Sequence, residues 1–148
     1  MAANLHQLGE DLVGTNSRVM RWIPRGNVDL SFAATRILGR IRDAGSLRIS
    51  DIAEQESSSQ PTITNHIKRL EAMGLVQRRD DPADGRVSVI SLTDQGHIEL
   101  AAIRRKLGNA LAPALEQLPA EDLESLRRGL DVLQRLTESP VGRTPRRW

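Results

Sequence analysis

Apolar spacing in this chain is helical almost throughout, and it changes to a strand period decisively in one place, residues 75–92. Leu5, Leu8, Leu12, Thr15, Val19 and Trp22 recur at three- and four-residue steps, which predicts a helix over 4–22. Ser31 suits the cap of a second helix running to Ala44, with Phe32, Ile37, Leu38 and Ile41 inward and Gly45 as its stop. Leu47-Arg48-Ile49 is long enough only for an isolated strand. Ser50 reads as the cap of a short helix carrying Ile52 and Ala53. Ser59 caps the next helix, and Pro61 lies in its first turn, where a missing N–H costs nothing. That helix buries Ile63, Ile67 and Leu70, and Gly74 supplies a left-handed exit.

Then the period changes. Residues 75–79 and 87–92 read as two strands, joined by Asp80-Asp81-Pro82-Ala83-Asp84-Gly85-Arg86, a run dense in turn formers. Thr93 caps a long helix reaching about residue 117. Pro119 opens a last one with the stripe Leu123, Leu126, Leu130, Leu133 and Leu136. The chain reads as mainly α with a small β-hairpin wing: a winged helix-turn-helix over 31–93, a helical dimerisation region from 1–30 and 94–138, and a basic flexible tail over 139–148. The first helix and the last two carry apolar seams that the small winged unit cannot cover. Pairing with a second copy about a two-fold axis would cover them.

Composition removes several function classes. With no cysteine among 148 residues there is no disulfide, thiolate zinc site, cysteine nucleophile or thiol redox switch. Tyrosine is absent, and Trp22, Phe32 and Trp148 are the only aromatics, too few for base-stacking platforms. His6, His66 and His97 fall on three different predicted helices, so no metal site is expected. Ser57-Ser58-Ser59 has neither a nearby histidine nor a glycine elbow, so no enzyme is expected. No apolar run is long enough for a membrane span, and residues 1–9 lack a signal-peptide pattern, so a cytoplasmic location is expected. No cofactor is called for.

A winged helix-turn-helix can place its second helix in a major groove and its hairpin against an adjacent minor groove or backbone. Stepping 100° per residue from Ile63 points Pro61, Asn65 and Lys68 outward, with Thr62 and Arg69 on one flank and Thr64 on the other. Asn pairs with adenine in two hydrogen bonds, Thr touches a thymine methyl or a phosphate, and Lys and Arg bind guanine or phosphate. A solvated helix face has the same polarity, and this helix alone does not separate the two. Residues 45–92 hold six basic and seven acidic groups, so long-range electrostatic steering is not available. What remains is geometry, with acids bracing the few arginines that reach phosphate.

The stretch IAEQESSSQPTITNHIKRLEAMGLVQRRDDPADGRVSVISLTDQG, residues 52–96, resembles the winged-helix core of the MarR family, bacterial regulators related to the multiple antibiotic resistance repressor. The pattern RR-x-DP-x-D-x-R-x(5)-LT-x-x-G, from Arg78 to Gly96, carries the likeness, and the flanking helices extend it over roughly 4–137. The resemblance implies a homodimer bound to a pseudo-palindromic operator on double-stranded DNA, usually as a repressor, often released by a small aromatic acid or phenol. It implies a DNA-contact role for Ser59, Gln60, Pro61, Thr62, Thr64 and Asn65 at the start of the recognition helix, and for Arg78, Asp84 and Arg86 in the wing. Lys68 and Arg69 join them from the outward face. Two positions depart from the family pattern. Asn65 stands where many members have Arg, which favours adenine over guanine. Gly85 stands where many have a basic residue, leaving Arg86 as the wing-tip candidate.

An effector pocket is expected where the dimer helices meet the winged unit. Met20, Trp22, Phe32 and Arg36 can line it, with Arg18 or Arg36 pairing a ligand carboxylate. Two other readings stay open: a DNA-binding protein without an effector, and a helical dimerisation module whose winged helix binds protein.

Overall fold

The computed structural model describes residues 4–24, 26 and 28–138. The tail at 139–148, expected to be basic and flexible, lies outside the described residues. The elements are α1 (Leu5–Trp22), α2 (Phe32–Ala44), β1 (Ser46–Arg48), α3 (Ile49–Gln55), α4 (Gln60–Ala72), β2 (Val76–Asp80), β3 (Ser88–Leu92), α5 (Asp94–Leu115) and α6 (Ala120–Glu138).

Side-chain caps fix most helix starts. Asn4, Ser31, Ser59 and Thr93 each accept a backbone N–H one turn on, from Gln7, Ala34, Thr62 and Gly96 respectively. The start of α3 differs from the sequence expectation. Arg48, not Ser50, is its N-cap residue, and it makes no side-chain cap bond. The helix begins directly out of a strand, and β-sheet pairing sets the backbone of Arg48 instead.

That strand is the second correction. Leu47-Arg48-Ile49 was expected to stand alone, yet Ser46, Leu47 and Arg48 pair antiparallel with Ser91, Ile90 and Val89. The sheet is three-stranded, in the order β1-β3-β2. Val76 pairs with Leu92 and Arg78 with Ile90 across the hairpin. Its partner lies more than forty residues away, so no local pattern announces β1.

One core fills the winged unit. Ile37, Leu38 and Ile41 of α2 meet Ile52 of α3, Ile63, Ile67 and Leu70 of α4, Ile90 and Leu92 of β3, and Leu100 and Ile103 of α5. Phe32 was expected inward but is 43% exposed. It sits in the first turn of α2, ahead of the buried stripe that begins at Ala34, and the Arg36 guanidinium lies 5.9 Å from its ring centroid. Neither α1 nor α6 buries any residue within the single chain.

Two contacts lock the elements that carry α4. The first joins α5 to the end of α4. Thr93 donates from Oγ1 to the Gly74 carbonyl at 2.6 Å, its N–H reaches the Leu75 carbonyl at 3.1 Å, and Gly96 packs on that same carbonyl. A Cβ on Gly96 would stand 2.0 Å from Leu75 O. The second is Glu56, whose side chain is 4% exposed at the end of α3. Arg36 donates to its Oε2 from Nε at 2.7 Å and also from Nη2, and Arg40 donates to Oε1. Burial alone would raise the Glu56 pKa. The hydrogen bonds and charges of the two arginines outweigh it and hold the carboxyl below its ordinary range.

Gly96→Ala should destabilise the fold by about 1–3 kcal/mol, because backbone, not a flexible side chain, opposes the added methyl. Urea unfolding reads this as a lower midpoint at unchanged slope, and an unchanged midpoint would refute the close approach. Glu56→Gln should cost about 1–2 kcal/mol, less than a fully buried pair because both guanidiniums can turn to water. Since the folded carboxyl has the lower pKa, its contribution is complete above about pH 4.3, the unfolded value, and fades as pH falls through the folded value. The loss of stability between pH 5 and 3 should therefore be shallower in Glu56→Gln than in the parent chain.

Candidate nucleic-acid interface

The α4 helix is held from behind by Ile63, Ile67 and Leu70, and its opposite face is open. Gln60, Pro61, Thr62, Asn65, Lys68 and Arg69 are exposed, while Thr64 and His66 are half-buried at the flanks. The 100° stepping therefore placed the outward set where the fold puts it. The Ser59 and Thr62 hydroxyls lie 2.8 Å apart, and Ser59 Oγ also accepts the Thr62 N–H. These two are tied into the cap. Asn65, Lys68 and Arg69 make no side-chain hydrogen bond or ion pair to the described residues.

The wing divides its arginines into two groups. Arg78 faces the core side of the sheet opposite Ile90 and donates from Nε to Glu71 Oε1 on α4 at 3.0 Å. Arg48 donates to Asp81 Oδ2 from Nε at 2.8 Å and Nη2 at 2.5 Å. Asp81 also accepts the Ala83 N–H at Oδ1, and these bonds together lower its pKa, the backbone bond most. The same pairing raises the pKa of Arg48. Arg79 and Arg86 are exposed and have no such partner among the described residues.

Asp84 does not pair with an arginine side chain. Its Oδ1 accepts the backbone N–H of Arg86 at 3.0 Å, a turn closure that sets where the Arg86 side chain leaves the loop. Sequence reasoning missed Arg48, Asp81 and Glu71 as the groups that hold the wing. The DP in the hairpin pattern was visible, but its partner lies 33 residues upstream.

The five residues expected around an effector are spread out. Arg36 is engaged with Glu56, Arg18 donates to Thr15 at 3.1 Å, and Met20 is half-buried. Trp22 is 62% exposed, and Phe32 lies at the start of α2. A shallow groove between the α1–α2 connection and α5 is lined instead by Val28, Asp29, Glu99, Ala102, Ile103 and Lys106. Among the described residues there is no cluster of three or more potential metal ligands, and no helix is long and apolar enough to cross a membrane.

Residues 30–88 match the model of the MarR family. The chain is 30% identical over 121 residues to the HTH-type transcriptional regulator YfiV of Bacillus subtilis, spanning 82% of this chain and 74% of that one. It is 30% identical over 118 residues to an HTH-type transcriptional regulator of Mycobacterium leprae, spanning 79% and 81%. Among solved structures it is similar to a mutant MarR from E. coli, with a TM-score of 0.70 at 22% identity over 86% of this chain and 96% of that one. That mutant complexed with operator DNA gives a TM-score of 0.57 at 22% identity, over 86% and 93%. The chain belongs to the MarR family, whose members are DNA-binding winged-helix transcriptional regulators and not enzymes.

Proposed function

We propose that this protein is a cytoplasmic homodimeric repressor that reads a pseudo-palindromic operator with α4 and the wing and is released by a small aromatic acid or phenol. The open polar face of α4 carries the reading. Asn65, Lys68 and Arg69 stand exposed, with no side-chain partner among the described residues, beside the caps at Ser59 and Thr62. In the proposed complex Asn65 pairs with adenine, while Gln60, Thr62, Thr64, Lys68 and Arg69 contact base edges and phosphates and Pro61 fixes the helix start. The wing contributes Arg86, held by Asp84, and Arg78, held by Glu71. Residues 31–93 form the DNA-binding part.

Residues 1–30 and 94–138 form the dimerisation region. Leu5, Leu8 and Trp22 of α1 and Leu126, Leu130 and Leu136 of α6 are exposed in the single chain, an apolar area that a second copy would cover. Effector binding is proposed at the α1–α2 side, against Trp22, Phe32 and Met20. Arg18 or Arg36 would meet the carboxylate, Arg36 only by leaving Glu56. Such a ligand must favour the DNA-free spacing of the two α4 helices, or it shifts nothing.

Sedimentation at micromolar concentration should show about twice the 16.4 kDa chain mass, and a monomer of native helicity would sink the dimer. The α4 helices should then be about 34 Å apart, with half-sites about 10 base pairs centre to centre, as an operator selected from random DNA would show. On that operator Asn65→Ala should cost about 1–3 kcal/mol and relax one base position. Arg86→Ala should weaken specific and non-specific binding together and reduce the salt slope by about one. Asp84→Ala should follow Arg86→Ala in affinity while keeping the salt slope. Equal loss of specificity in all three contradicts this division. In the same assay aromatic carboxylates or phenols should release the DNA, and release by peroxide alone would overturn the effector.

A further inference from the structure

Among the described residues, one side-chain pair ties the wing tip to the helix-turn-helix. Arg48 is the last residue of β1 and the N-cap residue of α3, so its backbone belongs to the start of the helix-turn-helix. Asp81 opens the loop that carries Arg86. Its N–H closes the hairpin on the Val87 carbonyl at 2.8 Å. Its two carboxylate oxygens divide the work. Oδ1 takes the Ala83 N–H at 2.9 Å and shapes the tip, while Oδ2 takes Nε and Nη2 of Arg48. In the sheet, Arg48 and Arg79 both pair with Val89 from opposite sides, so the three form one row on one face. Arg48 therefore reaches past the central strand to grip the loop. The Asp81 side chain is only 11% exposed.

The geometry points to Arg48 and Asp81 as positioning residues for DNA binding: a strut that fixes where the wing tip sits relative to α4, with neither side chain touching the DNA. This rests on the proposal that α4 and the wing engage one operator. The physical case is that β1 is three residues long and the loop between β2 and β3 spans seven, Asp81 to Val87, so strand pairing alone leaves its tip free to swing. An ion pair whose arginine is 42% exposed is screened by water and adds little to global stability. Its effect belongs instead to the geometry of a loop that must meet a rigid duplex.

Charge sign separates the strut from a direct contact. Asp81→Asn keeps the Oδ1 acceptor for Ala83 and removes a negative charge near DNA, which on charge alone should tighten binding. As half of a strut, its loss should weaken binding. Arg48→Gln and Asp81→Asn should each weaken operator binding about three- to tenfold at unchanged thermal midpoint, and the double variant should be no weaker than either single one. Arg48→Lys should recover part of the loss. Without DNA, hydrogen exchange at the amides of residues 83–86 should quicken in both single variants. Tighter binding by Asp81→Asn, additive effects in the double variant, or unchanged exchange at the tip would overturn the strut. If the parent protein binds no selected operator, the reading of α4 and the wing fails, and the exchange measurement still decides the strut.

Discussion

The seat of α5 on the end of α4 is the contact on which the rest of the molecule depends. Gly74 turns the chain with φ +73°, and the next residue, Leu75, presents its carbonyl to both the Thr93 N–H and the Gly96 backbone. Through this junction the long helix α5, whose Leu100 and Ile103 enter the winged core, is fixed to the helix whose open face is proposed to meet DNA. The two helices therefore meet backbone to backbone in a close-packed junction. The T-x-x-G of the family pattern has a physical content here. The threonine both caps α5 and ties it to Gly74, and the glycine permits the approach.

Charge in the winged unit is organised by attachment. Arg36 and Arg40 are committed to Glu56, Arg48 to Asp81 and Arg78 to Glu71. Lys68, Arg69, Arg79 and Arg86 have no such tie among the described residues. The near-neutral balance of residues 45–92 is thus a mixture of bound pairs, which stiffen the scaffold, and unpaired cations, which remain available. Acids that look like a handicap for a DNA-binding module are mostly spent on bracing.

Much of this was legible in the sequence because it is local. The caps at Ser31, Ser59 and Thr93, the exit at Gly74 and the outward set Pro61, Asn65 and Lys68 follow from capping chemistry and a 100° step. The β1 pairing, the Arg48 start of α3, the Glu56 pairs and the Arg48–Asp81 bond were not, since each joins residues 16 to 45 positions apart or is set by one that does. Phe32 misled because periodicity gives a direction around a helix and no information on where the neighbouring wall ends. Of the wing acids expected to brace arginines, Asp81 does so through the Arg48 guanidinium, whereas Asp84 accepts a backbone N–H.

The strand order β1-β3-β2 also governs how this protein behaves beside its own kind. The most apolar strand, with Val89, Ile90 and Leu92, is central and paired on both sides. One rim is three residues long, and the other carries Gln77, Arg78, Arg79 and Asp80 in succession. Short or charged rims are poor templates for a strand from another molecule. A projecting hairpin is an invitation to strand exchange and fibre growth, and this one is blunted at both edges, so many copies can crowd together without their sheets joining.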